Sequence, residues 1–286
     1  MGLLFNPKTS IFMYTTVWEN CKSSVCAIDF LSKAGTKITT FTGFKAKDYL
    51  VTDDVIDKFS TPAEVDLRFT EDASSQILSL RLPFEDFISL KVKQNGRHNP
   101  GFVLFDLDFK EFRGIPGLKC SKKVDHRIGQ PIAVLGYQLE QENLAIKSGI
   151  ISSLIRSENG MNTIQVDCTI QQGNAGSPLI DAESHEVIGV IGHRLASVVR
   201  SYRELMRIMN ANLKVLKEAE GKINMEDIDP IQVLIVNQNQ IKHMATAFFK
   251  SANILVGYAS ELCNMADYCP DQEDISNIDL EMNLDN

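Results

Sequence analysis

The segment Gln165–Leu179 reads Gln-Val-Asp-Cys-Thr-Ile-Gln-Gln-Gly-Asn-Ala-Gly-Ser-Pro-Leu. Its first residues have the composition of a strand, in which Cys168 is expected to be a small buried hydrophobe. The turn that follows is expected to depend on glycine rather than on the side chain of residue 175. The segment therefore predicts a strand that leads into a loop of fixed conformation.

Short β-type segments surround this loop on both sides and are separated by turn residues such as Asn95-Gly96. Before residue 116 the predicted strands are Val25–Leu31, Lys37–Phe44, Tyr49–Thr52, Gln76–Leu82, Ile88–Lys93 and Phe102–Phe105. After it they are Pro131–Leu135, Ile146–Leu154, Thr163–Val166, Pro178–Asp181 and Glu186–Gly192. Many short strands at regular spacing predict a barrel or a sandwich.

Two helices are predicted after these strands. Apolar residues recur at three- and four-residue steps over Val198–Ala219, and Asp229-Pro230 has the form of a helix start. A β-like segment, Ala252–Ala259, follows the second helix. The apolar stripes of this helical hairpin are expected to pack against the rest of the chain, with a partner protein as the alternative.

The loop Gly173–Leu179 resembles the nucleophile loop of trypsin-like serine proteases, most closely the HtrA/V8-like branch, whose loop has the form Gly-Asn-Ser-Gly-[Gly/Ser]-Pro-Leu. Ile128–Tyr137, Ser148–Ser153 and Glu186–Val190 resemble strands of the same family, in the family's order. The resemblance implies a mainly β fold, the double six-stranded β-barrel of trypsin-like proteases.

The resemblance also implies a domain organisation. An N-terminal barrel is expected over residues 1–115 and a C-terminal barrel over residues 116–262, with the helical hairpin of residues 197–251 inserted before the last strand. Residues 263–286 form an acidic tail that is expected to be disordered, because it has seven acidic residues and no Lys or Arg.

Peptide hydrolysis by this family needs a serine nucleophile, a histidine that takes its proton and an aspartate that orients the histidine. The resemblance places Ala175 at the serine position. It places Gly101 at the aspartate position, at the start of a strand of the family's Asp-[Leu/Ile]-Ala-[Val/Leu]-Leu form. A gapless match after Thr52 places Val55 at the histidine position, and a one-residue deletion would place Asp54 there. The resemblance therefore implies a pseudoprotease that lacks all three catalytic groups.

Such a chain is expected to act as a binding module for a protein or peptide, as a regulatory or scaffold subunit. The resemblance implies that the backbone N–H groups of Gly173 and Ala175 retain the form of an oxyanion hole, and that Ser177 and His193 are possible peptide-binding residues. The alternative is a serine endopeptidase that was captured or engineered as an inactive Ala175 form. The other histidines, His98, His126, His185 and His243, are expected to be surface or structural residues.

Composition narrows the function further. The chain has 286 residues, is 44% hydrophobic and 23% charged, and has a net charge of −8. Seven acidic residues and no Lys or Arg lie in residues 264–286, so the remainder is close to neutral and offers no concentrated basic surface for nucleic acid. No cofactor, metal site or membrane span is expected, since no ligand spacing and no long apolar run occurs. Six scattered cysteines and the lack of an export signal predict a cytoplasmic protein.

Overall fold

The computed structural model describes residues 7–58, 62–70, 77–92, 100–123, 125–139, 141–156, 162–192, 196–222, 229–251 and 254–262. Contacts within the chain divide it into two compact units. One unit is Met1–His193 together with Ile254–Asn286, and the other is Arg194–Asn253. The first unit contains every strand of the described residues, whereas the second contains two helices. The predicted domain boundaries at residues 115 and 262 stay predictions.

Six strands form an antiparallel sheet in the N-terminal half: β1 (Val25–Leu31), β2 (Lys37–Ala46), β3 (Tyr49–Asp53), β4 (Glu64–Thr70), β5 (Ile77–Pro83) and β6 (Phe102–Asp106). Their order across the sheet is β5-β4-β1-β2-β3-β6. Phenylalanine side chains dominate the apolar cluster that this sheet encloses, among them Phe30, Phe69 and Phe105. Burial of such large rings is the main stabilising contribution that strands of this composition make.

Two features of this sheet differ from the sequence prediction. The predicted strand Ile88–Lys93 is wrong, because the chain forms the helix α2 (Phe84–Ser89) and only Lys91 makes an isolated bridge to a strand. Two acidic residues lie in the first turn of α2, where they interact favourably with the helix dipole, and Phe87 is buried. Strand β4 is missing from the prediction, although its buried and partly exposed residues alternate with the period of two that marks a strand.

Six further strands form a closed barrel: β7 (Pro131–Gly136), β8 (Ala145–Arg156), β9 (Asn162–Ile170), β10 (Pro178–Asp181), β11 (Val187–Ile191) and β12 (Ile254–Glu261). Their order is β10-β11-β12-β9-β8-β7, and β10 pairs with β7 to close the barrel. An aliphatic cluster that includes Ile132, Val166 and Ile188 fills it. A mainly β chain with two six-stranded halves confirms the predicted fold class.

A third apolar cluster joins the two β halves. It contains Val25 and Phe102 from the first sheet, and Leu135 and Val190 from the barrel. The helix α1 (Pro7–Cys21), which the sequence analysis does not predict, adds side chains such as Val17 to the same cluster. This cluster therefore fixes the two halves against each other, and the site described below lies at the boundary between them.

The second compact unit is a helical hairpin of α3 (Ala196–Ala219) and α4 (Pro230–Ser251), which lies between β11 and β12 in the chain as predicted. Asp229 caps the start of α4 by accepting hydrogen bonds from the backbone N–H of Ile231 and of Gly221. No helix in the described part of the chain is long and apolar enough to cross a membrane.

Candidate functional site

The loop Gly173–Ser177 joins β9 to β10 and forms a tight turn that two glycines permit. Gly173 and Gly176 have φ angles of +99° and +87°, which residues with a Cβ rarely adopt. A Cβ on Gly173 would also lie 2.6 Å from the carbonyl oxygen of Tyr137, and a Cβ on Gly176 would overlap the carbonyl oxygen of Thr42. The loop conformation therefore depends on its glycines, as the sequence predicts.

Asn174 is fully buried and its side chain holds the loop from inside. Its Oδ1 accepts hydrogen bonds from the backbone N–H of Gln171 at 2.9 Å and from Nζ of Lys147 at 2.5 Å. Its Nδ2 donates to the carbonyl oxygen of Tyr137 at 2.8 Å. One amide thus connects the loop to β7 and β8 and satisfies three polar groups.

Thr42 of β2 attaches the loop to the first sheet. Its backbone N–H donates to the carbonyl oxygen of Ala175 at 2.9 Å, and its hydroxyl donates to the carbonyl oxygen of Gly173 at 2.7 Å. The same hydroxyl accepts a hydrogen bond from the backbone N–H of Tyr137 at 2.9 Å. The loop is therefore held between both β halves.

The residue at the nucleophile position, Ala175, contributes its methyl group to a core. It is 5% exposed and belongs to the apolar cluster enclosed by the first sheet. Val55, at the histidine position of the gapless match, packs against the same cluster. The two positions that would hold a hydroxyl and an imidazole in a serine protease are thus in one apolar environment.

A short 3-10 helix (Asp54–Lys58) positions Val55 at the end of β3. The backbone N–H of Val55 donates to Oδ1 of Asp53 at 2.8 Å, so Asp53 caps this turn. Asp53 is buried, and its carboxylate accepts this hydrogen bond from the local backbone. At the histidine position of the gapless match, the side chain of Val55 is a branched aliphatic group that cannot accept a proton.

The aspartate position, Gly101, has no space for a side chain. Its φ angle of +82° favours glycine, and a Cβ at this position would overlap the hydroxyl oxygen of Ser260. Ser260 is a buried residue of β12, distant in sequence. A carboxylate at residue 101 would therefore require both a different backbone conformation and displacement of Ser260.

The backbone N–H groups of Gly173 and Ala175 differ from their neighbours in the loop. The N–H groups of Asn174, Gly176 and Ser177 donate to carbonyl oxygens at 2.7 to 3.0 Å. Within the described part of the chain, those of Gly173 and Ala175 have no hydrogen-bond acceptor. The turn therefore leaves two alternate donors available, which is the arrangement that binds a developing oxyanion in acyl transfer.

The structure describes only one of the two candidate peptide-binding residues. Ser177 is fully buried, and its hydroxyl lies so close to Gly136 that a Cβ there would overlap it. A peptide would reach Ser177 only if the loop opened, so its binding role stays a prediction. His193 lies outside the described residues, as do His98 and the tail of residues 263–286.

Three of the five histidines lie in the described residues, and none of them takes part in the loop contacts given above. His126 is buried with its Nε2 3.4 Å from Oε1 of Glu261, and Nδ1 of His185 lies 3.0 Å from Nδ2 of Asn20. His243 is exposed on α4. Among the residues that the structure describes, no group of three or more His, Cys, Asp or Glu side chains is placed to hold a metal ion.

Lys147 is the residue of this site that the sequence analysis misses. It lies on β8, opposite Val134 of β7, and its ammonium group reaches Oε1 of Gln171 at 3.0 Å as well as Asn174. Burial lowers the pKa of Lys147 to about 8, while burial raises the pKa of the neighbouring Cys168 thiol. A lysine in a strand has no sequence signal for this role, because its partners come from a loop more than 20 residues away.

A β fold in two halves, with a loop of this geometry at their boundary, defines the class of trypsin-like peptidase domains. Residues 60–190 match the family model described as trypsin-like peptidase domain, so this part of the chain is similar to that family. The matched segment includes Gly101 and the whole loop, whereas Val55 precedes it.

The chain is also similar to the uncharacterized protein y4bJ of Sinorhizobium fredii (strain NBRC 101917 / NGR234), with 32% identity over 93 residues. The matched region is 32% of this chain and 15% of that protein, so the chain corresponds to only a small part of its length.

Several solved structures are similar to part of the chain. Deg5 has a TM-score of 0.48 and 21% identity, and the match covers 67% of this chain and 92% of Deg5. The HtrA-type protease AlgW with tripeptide has a TM-score of 0.45 and 16% identity, over 62% of this chain and 53% of AlgW. The serine endoprotease from Yersinia pestis has a TM-score of 0.45 and 17% identity, over 63% of this chain and 57% of that protein. Because these TM-scores are below 0.5, the class of the fold rests on the strand order and on the family match.

Proposed function

We propose that this chain is a non-catalytic trypsin-like domain that binds a protein or peptide as a regulatory or scaffold subunit. The observation that carries the proposal is the environment of the three triad positions. Ala175 and Val55 contribute to an apolar core, and the space beside Gly101 is taken by Ser260. Acyl transfer needs a nucleophile, a base and a group that orients the base, and none of these residues supplies one.

Peptide binding does not need the triad. The N–H groups of Gly173 and Ala175 have the arrangement of an oxyanion hole, and a peptide carbonyl or carboxylate oxygen is the acceptor that suits two converging donors. Over Gly189–Ile191, β11 pairs with β10 on one side and β12 on the other, so these residues offer no free strand edge. We therefore place the peptide beside the loop Gly173–Ser177.

The alternative function is a serine endopeptidase in which Ala175 replaces a catalytic serine. The well-formed loop is the observation that favours it, because the geometry of residues 173–177 would suit a nucleophile. This alternative predicts that Ala175→Ser alone restores cleavage. We expect no restoration, because an isolated serine next to Val55 has no base to take its proton.

The test compares the native chain with Ala175→Ser, and with an active trypsin-like protease as the positive control. Each protein is treated with a serine-directed fluorophosphonate and incubated with a fluorogenic peptide library. We expect no labelling and no turnover from either form of this chain. Labelling of Ala175→Ser together with peptide cleavage would establish the endopeptidase and exclude the non-catalytic function.

Peptide binding is measured separately, by fluorescence polarisation with the same library in uncleavable form. Saturable binding of a peptide subset by the native chain is the expected result, and absence of binding across the library would contradict the peptide-binding part of the proposal.

We place this function in the cytoplasm, where the buried thiols of Cys21, Cys26 and Cys168 stay reduced. A protein or peptide is the proposed partner, rather than nucleic acid or a membrane.

A further inference from the structure

The helical hairpin has a second apolar face besides the one that joins its two helices. Met209 and Leu213 of α3 are buried in the joining face. Cross-helix hydrogen bonds run from Nζ of Lys242 to Oδ1 of Asn210 at 2.7 Å and between the hydroxyls of Tyr202 and Thr246 at 3.1 Å. These pairs establish that α3 and α4 are antiparallel and define their register.

On α3 the second face is a seam of residues with the spacing of a coiled coil. Leu205, Ile208, Asn212 and Val215 follow each other at steps of three, four and three residues, and all four are exposed. This spacing places their side chains in one row along the helix. The charged residues Lys214 and Glu218 are turned away from this row by about a third of a turn.

On α4 a matching seam has the same spacing. Leu234, Asn237, Ile241, Met244 and Phe248 follow each other at steps of three, four, three and four residues, and all five are exposed. From Pro230 to Ser251 the helix contains no Asp or Glu. A helix with so little charge and a second apolar row is expected to be covered on more than one side.

The two seams lie on the same side of the hairpin. Each is displaced from the joining face of its own helix by the same rotation, about a quarter of a turn. Because the helices are antiparallel, equal rotations point to the same side. Continuing the register of the cross-helix hydrogen bonds places Asn212 about level with Asn237. The face thus consists of apolar layers on both sides of a layer of two asparagines.

The size of this face matches half of a stable protein interface. Its apolar members are between 41% and 69% exposed: Leu205, Ile208, Val215, Leu234, Ile241, Met244 and Phe248. Seven such residues expose on the order of 500 Å² of apolar surface. A standard interface buries about 800 Å² on each partner, of which about 60% is apolar. The face therefore supplies about the apolar area that one side of a dimer needs.

We propose that this face binds the same face of a second copy of the chain, so that two hairpins form a four-helix bundle. Two observations favour a second copy over another occupant. The seams of both helices follow the spacing that supports helix bundles, and the face is uncharged, so two identical faces meet without repulsion. The asparagines of two copies meet in one central layer, where side-chain hydrogen bonds fix the register of the bundle.

The test is the molar mass of the full chain in solution, measured by light scattering on a size-exclusion column over a dilution series. We expect twice the monomer mass of 31.9 kDa, with dissociation only at low concentration. Ile241→Glu places a charge at the centre of the face and is expected to give a monomer. The matched control, Asn239→Glu, adds the same charge to the exposed, opposite side of α4 and is expected to remain a dimer.

Circular dichroism checks that Ile241→Glu retains the helical signal of the native chain, so that a monomer is not explained by unfolding. A native chain that is monomeric at all concentrations would overturn the proposal. In that case loss of stability in Ile241→Glu would indicate that the rest of the chain covers the face, and dimerisation on removal of residues 263–286 would indicate the tail. A dimer that persists unchanged in Ile241→Glu would also overturn it, since the interface would then lie elsewhere.

A separate variant tests the asparagine layer. Asn237→Leu is expected to raise the thermal stability of the assembly and to give oligomers other than the dimer, because it removes the polar group that specifies the register. A variant with one oligomeric state and unchanged stability would contradict a central polar layer.

Discussion

Replacing Asn174 by alanine tests whether one buried amide maintains the loop. The change removes three hydrogen bonds and leaves the backbone N–H of Gln171 and the carbonyl oxygen of Tyr137 without their partner. A buried polar group that loses its partner costs about 1–3 kcal/mol. The third partner, Nζ of Lys147, is half-buried and can regain water, so its loss contributes less. We expect Asn174→Ala to lower the free energy of unfolding by about 3 kcal/mol.

The assay is urea denaturation followed by the fluorescence of Trp18, the only tryptophan of the chain. Trp18 packs against the cluster that joins the two β halves, so its signal reports on the unit that contains the loop. Asn174→Asp is the matched variant, because it retains an acceptor for Lys147 and loses only the donor to Tyr137. It is expected to fall between the native chain and Asn174→Ala. A loss below about 1 kcal/mol for Asn174→Ala would refute the argument that this amide supports the loop.

Two further predictions concern residues at the same site. Gly101→Ala is expected to destabilise the chain by about 2 kcal/mol, from the left-handed backbone and the overlap with Ser260. Gly35→Ala, at φ +75° with open space around its Cβ position, isolates the backbone effect, and an equal loss in both variants would contradict the overlap. The pKa of Lys147, lowered by burial from 10.5 to about 8, predicts that stability relative to Lys147→Met rises as the pH increases from about 8 towards 10.5. In that window the folded chain has released a proton that the unfolded chain retains. A flat difference in denaturation midpoint across this range would contradict it.

The fold was predictable where local patterns and the resemblance agreed. The strands of the closed barrel follow from short runs of branched residues, and the hairpin follows from its apolar spacing and from Asp229-Pro230. The helix α2 was not predicted, because Ile88–Lys93 alternates apolar and polar residues as a strand does. The acidic residues of the first turn of α2, Glu85 and Asp86, come before that segment.

The positions that the resemblance assigned to Val55, Gly101 and Ala175, each from its place after or before a strand, stay predictions. The resemblance gave no indication that Ser260 fills the space beside Gly101, or that Lys147 reaches Asn174. Those contacts join residues that are 159 and 27 positions apart in the chain, and only the tertiary fold brings them together.

The loop and the residues compared with the catalytic triad are stabilised by different interactions. The loop depends on Gly173, Gly176 and the amide of Asn174, and no hydroxyl at residue 175 takes part in these contacts. A serine there would therefore add a polar group to an apolar cluster without strengthening the turn. At Gly101, by contrast, a carboxylate would conflict with the backbone itself. Under the proposed function, the two N–H donors of the loop would bind a peptide without any side-chain contribution from Val55, Gly101 or Ala175.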